Sequence, residues 1–316
     1  STFKKLVKHE QGVWKNIEDT AFILGLRGYE NEEQAANIIS QLKESLSQNS
    51  YFDVIIGTAM FPCLNYPQTQ IPVNALKALD HAAFFGASAL VSFDALSLNI
   101  SGDRLYHLNH YNLAIKEYKE GLKIKPDDSN MLNSLGVCFA ISGELKKAGN
   151  AFNSALKSKL FESISLYNIG LLHQIEGEPD KAMNCFEKAH KIDSSVFEVE
   201  LLLAYLLFKK QEYDKAMPYL DAAEQLNPES GLVFRMRGEI LLAGNDPENA
   251  GHQFNKAIKL NPSDAVSLSG YAQTLELMDK NLPIALIFAQ KSLALDPDNP
   301  LFQERLQRLR EKVQER

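Results

Sequence analysis

Cysteine is scarce in this chain, and long apolar runs are missing. The three cysteines, Cys63, Cys138 and Cys185, are odd in number and far apart, which excludes a disulfide framework and a paired zinc motif and fits a reducing, cytoplasmic setting. No run of about 18 apolar residues is present to cross a bilayer, and the start has no signal-peptide pattern. A chain that begins at Ser1 rather than Met reads as a piece of a longer protein. Basic excess is lacking too: 33 Lys and Arg against 40 Asp and Glu leave a formal charge of -7. Neither a nucleic-acid backbone nor an anionic membrane surface is therefore an expected partner. There is no GxSxG, HExxH, Walker loop or GxGxxG. Of the seven histidines only His107 and His110 share a helical turn, with no third metal ligand in spacing, and the adjacent Asp80 and His81 point apart on a helix. The expectation is a protein that is not an enzyme and holds neither cofactor nor metal.

What the chain does have is a repeat. Small residues recur at Ala114, Ala148, Ala182, Ala216 and Ala250, each 34 positions after the last. Gly102, Gly136, Gly170, Ala204, Gly238 and Ala272 keep the same step, as do Gly121, Ala155, Ala189, Ala223 and Ala257. A bulky column runs Tyr118, Phe152, Phe186, Leu220 and Phe254, and another Leu98, Leu132, Leu166, Glu200, Phe234 and Leu268, where Glu200 breaks the apolar rule. Columns in phase mean one supersecondary unit copied along the chain.

Each unit reads as two helices. In the third, Leu166, Ile169 and His173 form one stripe, Gly177 to Pro179 break the chain, and Ala182, Phe186 and Ala189 form another. Pro126, Pro228 and Pro262 stop the second helix, and Pro297 repeats that role after a one-residue insertion near Asp279 to Pro283. This pattern resembles the tetratricopeptide repeat, with six units starting at about 95, 129, 163, 197, 231 and 265. Leu160 and Ser194 depart from the terminal proline, and Asn245 from the turn glycine. Beyond the last unit, Asn299 and Pro300 open a helix with the apolar stripe Phe302, Leu306, Leu309 and Val313, expected to cap the stack over 300–316. The expected fold is mainly α: an α-solenoid of about six hairpins over 101–299 plus the cap, preceded by a small α/β domain over 1–100.

The resemblance implies a concave wall built from positions 2, 5, 9 and 12 of each first helix. On this sequence those positions hold Asn133 in the second unit, Ile164, Tyr167, Leu171 and Gln174 in the third, and Glu198, Leu201, Tyr205 and Phe208 in the fourth. Leu232, Arg235, Glu239 and Leu242 follow in the fifth, then Val266, Ser269, Gln273 and Glu276 in the sixth. An apolar, aromatic centre with polar ends suits a peptide or helix of a protein partner. The rival reading has Tyr167, Tyr205 and Phe208 packing inside the protein. Of the Lys and Asn clamp that grips terminal carboxylates in one class of these repeats, Asn133 alone is present.

The first ninety residues have another rhythm. Short β-type runs at Ala21 to Leu26, Asp53 to Phe61 and Leu90 to Leu98 alternate with two helices. The first has Asn31 as its cap and Ala35, Ile38, Ile39, Leu42 and Leu46 as its apolar face; the second opens at Pro72 with Leu76, Leu79, Ala82 and Ala83. Phe22-Ile23-Leu24, Ile56 to Pro62, Lys77 to Ala82 and Phe85-Gly86 resemble the C-terminal half of a GGDEF domain, the diguanylate cyclase fold. Its signature is lost: Asp19, Thr20 and Ala21 stand at the glycine and acidic positions, Ala83 replaces a lysine, and the R-x-x-D motif expected over His9 to Gly12 is absent. The resemblance implies a degenerate, inactive half-domain fused without a linker to a bacterial signalling or assembly scaffold. The alternative it leaves is a dead module that senses cyclic di-GMP or GTP.

Overall fold

The computed structural model describes residues 12–18, 21–29, 31–49 and 54–315 and is mainly helical. By contact density the chain divides into two compact units, Ser1–Phe161 and Glu162–Arg316.

In the first unit, β1 (Val13–Glu18) pairs antiparallel with β2 (Ala21–Gly25). α1 (Glu32–Asn49) is capped by Asn31, whose Oδ1 accepts from Gln34 N at 2.9 Å. Ala35, Ile38, Ile39 and Leu42 turn away from water as the periodicity requires, while the side chain of Leu46 lies outside the described residues. β3 (Ile56–Thr58) and β4 (Leu90–Ser92) form a separate parallel pair, joined through α2 (Ile71–Ala83). Among the described residues the short strands thus form two two-stranded sheets rather than one. Asp19, Thr20 and the segment from His9 to Gln11, on which the loss of the cyclase signature was argued, lie outside the described residues, as does Asp53.

Two readings of this segment need correction. The run from Leu90 to Leu98 is not one strand: Asp94 accepts from Ser97 N at 2.8 Å and caps α3 (Ala95–His107), so the strand stops at Ser92 and Leu98 lies in a helix. On α2 the buried positions are Asn74, Ala78, His81 and Ala82, whereas Leu76 and Ala83 are exposed. Strand and helix crowd α2 from two sides. A Cβ on Gly57 would lie 2.1 Å from Leu79 N and 2.4 Å from Ala75 O, so β3 reaches this backbone only because residue 57 has no side chain. α3 covers the Ala78 face, and Lys77 reaches α4 (Tyr111–Ile124) through Glu117 at 2.6 Å. Residues 97–104 are continuous helix, and no linker intervenes.

α3 with α4, and α5 (Ser129–Ile141) with α6 (Leu145–Ala155), form the two hairpins of the first unit. The second unit stacks α7 (Glu162–Ile175) with α8 (Pro179–Ile192), α9 (Phe197–Lys209) with α10 (Tyr213–Leu226), α11 (Gly231–Ala243) with α12 (Pro247–Leu260), and α13 (Ala265–Leu277) with α14 (Leu282–Leu295). α15 (Pro300–Gln314) closes it, with Asn299 as N-cap and Pro300 in its first turn.

The columns are the core. Ala114, Ala148, Ala182, Ala216 and Ala250 are all 0% exposed, and the bulky column from Tyr118 to Phe254 is no more than 1% exposed. Each glycine of the second column lies against the ring of its own hairpin: a Cβ on Gly102 would be 2.5 Å from Tyr118, on Gly136 2.4 Å from Phe152, on Gly170 2.5 Å from Phe186 and on Gly238 2.8 Å from Phe254. Where the fourth hairpin carries Ala204 in place of glycine, the ring is replaced by Leu220. After the inserted residue the sixth carries Ala272 and Ala289, both buried. One larger member is matched by one smaller, because the space between two helix axes is fixed by the repeat.

The turns repeat as well. Asn109, Gly143, Gly177, Gln211, Asn245 and Asp279, again 34 apart, all have positive φ. Asn281 adds a second such residue where the insertion falls. Gln211, at φ 61°, is neither glycine nor one of the short polar residues that tolerate this conformation. Gln211→Gly is expected to raise stability by roughly 0.5–1 kcal/mol in urea unfolding, with no change in helicity. Ser194, lacking proline's rigidity, sits in a turn closed by Asp193, whose Oδ1 accepts from Ser195 N at 2.9 Å and Ser195 Oγ at 2.6 Å. Glu200, the polar break in an apolar column, is fully buried and meets His190 Nδ1 at 2.5 Å.

Candidate functional site

First helices turn the small residues of the second column, Gly102 to Ala272, toward the second helix of their own hairpin, so positions 2, 5, 9 and 12 fall on another edge of the same turns. In the second unit α9 lies beside α11, and α11 beside α13. Ile164 is 45% exposed, Tyr205 41%, and Leu232 and Val266 36% each. Lys209 Nζ stands 5.4 Å from the centre of the Tyr205 ring. Leu171 and Leu242 are half-buried.

Other residues of the sequence-derived set are partly drawn into the core. Tyr167 leans on Phe186, ring centres 6.1 Å apart, and burial followed by the nearby charge of Glu198 raises its phenol above the ordinary value. Leu201 and Phe208 pack against the cluster of Ala204, Leu207, Leu220 and Val233, and the Phe208 ring lies 5.8 Å from Tyr213. Arg235 donates through Nη1 to Asp264 Oδ1 at 3.2 Å. Beside it, burial raises the Glu239 carboxyl above its usual range, an effect Arg235 opposes. Asn133, in the first unit, is half-buried on α5.

Of the positions read from the sequence in the sixth hairpin, Val266 stays open but Ser269 and Glu276 do not. Ser269 is 1% and Glu276 4% exposed, because α15 lies over them. Arg305 donates to Ser269 Oγ and, at 2.6 Å, to Gln273 Oε1. Arg308 forks onto Glu276, Nε to Oε1 at 2.6 Å and Nη2 to Oε2 at 2.9 Å, and Lys312 stands 3.4 Å from the same carboxylate. The signal available in the sequence was the arginines of the cap helix, Arg305 and Arg308, beside its apolar stripe. The apolar positions left open are Ile164 on α7, Tyr205 on α9, Leu232 on α11 and Val266 on α13.

Two clusters resemble chemistry and do not supply it. His81 Nδ1, Ser97 Oγ and Asp94 Oδ1 gather within 3.4 Å, but Ser97 is fully buried and donates its own hydrogen to Asp94 at 2.8 Å, so the trio caps α3 rather than activating a nucleophile. Among the described residues one group could hold a metal: His173, Glu176 and Glu178, with His173 Nδ1 at 3.4 Å and 2.9 Å from the two carboxylates. Lys181 already pairs with Glu178 at 2.8 Å at the α7–α8 turn. The sequence reading missed it because it looked for histidine pairs. Burial pushes the Cys138 thiol up to about 11, in keeping with an inert core residue, and Cys185 rises for the same reason. No helix among the described residues is long and apolar enough to cross a membrane.

The tetratricopeptide-repeat family models match residues 101–161 and, separately, 164–195, 201–230 and 236–264. Human protein O-mannosyl-transferase TMTC1 is 24% identical over 232 residues, covering 71% of this chain, which spans only 22% of that relative's length. Among solved structures, Pseudomonas aeruginosa PilF superposes with a TM-score of 0.60 at 18% identity, over 66% of this chain and 95% of that one. A chain of the APC/C hetero-tetramer Cut9–Hcn1 superposes with a TM-score of 0.55 at 18% identity, over 68% and 42% of the two chains. At such identities these structures establish the likeness of fold alone.

Proposed function

We propose that this chain, whose residues from 101 to 264 carry tetratricopeptide repeats, is a non-catalytic scaffold. It takes a peptide or helix of a protein partner on the surface formed by α7, α9 and α11. The observation that carries the reading is the half-exposed apolar set of Ile164, Tyr205 and Leu232, with Glu198, Arg235 and Glu239 among the same helix positions, while Ser269 and Glu276 of the sixth hairpin are buried. Ile164 and Leu232 are apolar anchor positions, Tyr205 an amphipathic one, and Tyr167, Leu171, Leu201, Phe208 and Leu242 form the floor that keeps them in place. In this reading the α/β part ends near residue 100, six repeat units follow to 299, and the cap occupies 300–316. A cytoplasmic setting is supported by the scarcity and wide spacing of cysteine, and service in bacterial signalling or assembly by the motifs of the first hundred residues.

Tyr205→Ala tests it, since Tyr205 is exposed where Phe208 is structural. A partner captured by the wild-type chain is expected to bind the variant about tenfold more weakly in calorimetry, about 1.4 kcal/mol, with unchanged helicity. Equal affinity for both would place the binding surface elsewhere.

A further inference from the structure

Position 9 of the first helices holds, from the first hairpin to the sixth, Asp103, Val137, Leu171, Tyr205, Glu239 and Gln273. Asp103 accepts from the Tyr118 hydroxyl at 2.7 Å, and Gln273 accepts from the Arg305 guanidinium at 2.6 Å. Glu239, half-buried on α11, has no such answering group: among the described residues no hydrogen bond or ion pair reaches its carboxylate, and Arg235 and Lys209 act on it by charge at a distance. Arg235, one turn earlier on the same helix, commits its Nη1 to Asp264. Lys209 is exposed at the last residue of α9, and its ammonium faces the Tyr205 ring at 5.4 Å. One cation therefore lies against the aromatic ring and within the field of the carboxylate without pairing with it. A half-buried carboxylate has given up part of its hydration, and a paired cation is what makes that loss good.

We propose that the partner supplies this cation: the segment taken on the surface around Tyr205 carries a basic side chain, arginine in preference to lysine, that stacks on Tyr205 and pairs with Glu239. The inference rests on the function proposed above and adds the chemistry of the occupant. A guanidinium meets both demands, since its plane lies on an aromatic face, its fork matches a carboxylate, and it is more weakly hydrated than an ammonium. At the next place along the column a guanidinium from another helix, that of Arg305, already fills the equivalent role at Gln273. Lys209 shows that the Tyr205 ring accepts a cation, and because its side chain is exposed at a helix end its ammonium can move into water when another arrives. Charge agrees with this. With Arg235 held by Asp264, the carboxylates left at these positions of α9 and α11 are Glu198 and Glu239, and the exposed Glu198 lies two turns before Tyr205 on the same side of α9. An acidic segment would meet both of them, and the formal charge of -7 opposes it further. Leu232, 36% exposed and two turns before Glu239 on α11, gives an apolar residue of the same segment its contact.

A phage-displayed library of random peptides, selected on the whole wild-type chain, tests the assignment. Binders that Tyr205→Ala releases report on this surface, and among them Arg and Lys are expected at one fixed place beside an apolar residue. A synthetic copy of one such peptide is then titrated by calorimetry, with its basic residue intact or replaced by norleucine, against wild type and Glu239→Gln. Either change alone is expected to weaken binding roughly tenfold, and both together little more than one, whereas two independent contacts would multiply to about a hundredfold. Lys209→Ala should act in the opposite direction, tightening the basic peptide about threefold and leaving the norleucine peptide unchanged, and it serves alone if Glu239→Gln alters the circular dichroism. Tyr205-dependent peptides with no basic residue at a fixed place, or with an acidic one, overturn the proposal and leave the binding surface standing. So do losses that multiply, or a Lys209→Ala variant that binds the basic peptide no better. If no selected peptide depends on Tyr205, the proposed binding surface and its cation preference fall together.

Discussion

A chain ending at Asn299 is expected to lose the folded state of its last hairpin. α15 buries Phe302, Leu306 and Leu309 at 5%, 5% and 0% exposure, and its removal bares Ala272, Leu275, Ala285 and Ala289. Three large apolar side chains at roughly 1.5–3 kcal/mol each amount to about 5–9 kcal/mol as an upper estimate, more than one hairpin of a repeat array can lose and stay folded. Hydrogen exchange should show α13 and α14 unprotected while α7 to α10 keep their protection. Uniform protection in the truncated chain would mean that α15 is an appendage rather than a lid.

The polar half of the same lid is tested by pH. Burial by itself would raise the Glu276 carboxyl; the Arg308 fork, with the charges of Arg308 and Lys312, outweighs it and holds the group below the ordinary carboxylate range. Its stabilising contribution is therefore full above the unfolded value of about 4.3 and fades as pH falls through the lower folded value. Glu276→Ala is expected to cost about 2 kcal/mol near neutrality, less than a fully buried pair, because Arg308 is 43% exposed and can regain water. The difference between variant and wild type should shrink as pH drops below about 4.

The second large effect concerns the glycine against the ring. In Gly170→Ala the new Cβ would lie 2.5, 2.8 and 2.9 Å from three atoms of the Phe186 ring, which is 0% exposed and has nowhere to swing. A loss of roughly 1–3 kcal/mol is expected, and more for Gly170→Leu. Phe186→Leu alone leaves a void and should cost a similar amount. Together they recreate the pairing of Ala204 with Leu220, and the double variant should recover at least about 1 kcal/mol over the sum of the singles in urea unfolding. Strict additivity would mean that the complementarity between columns is coincidence rather than packing.

These expectations rest on residues that could be found without coordinates. The 34-residue step, the small columns and the cap from Pro300 onward were legible because helical period, turn and cap chemistry are local, and a residue every 34 positions meets the same neighbours in each copy. Even the exchange of Gly170 and Phe186 for Ala204 and Leu220 is written in the sequence, although its meaning needs the ring and the Cα in contact. The strand read through Leu98 failed for a local reason that was overlooked, the cap at Asp94 followed three residues later by Ser97.

The site was less legible. Positions 2, 5, 9 and 12 share an edge in every unit, yet Tyr205 keeps two fifths of its surface in water while Phe208 joins the core and Ser269 and Glu276 lie beneath Arg305 and Arg308. Sequence alone determined which residues lie on one helical face, because that follows from 3.6 residues per turn. Only the tertiary structure decided which part of that face stays open, because exposure depends on whatever distant segment packs against it, and no local period records that.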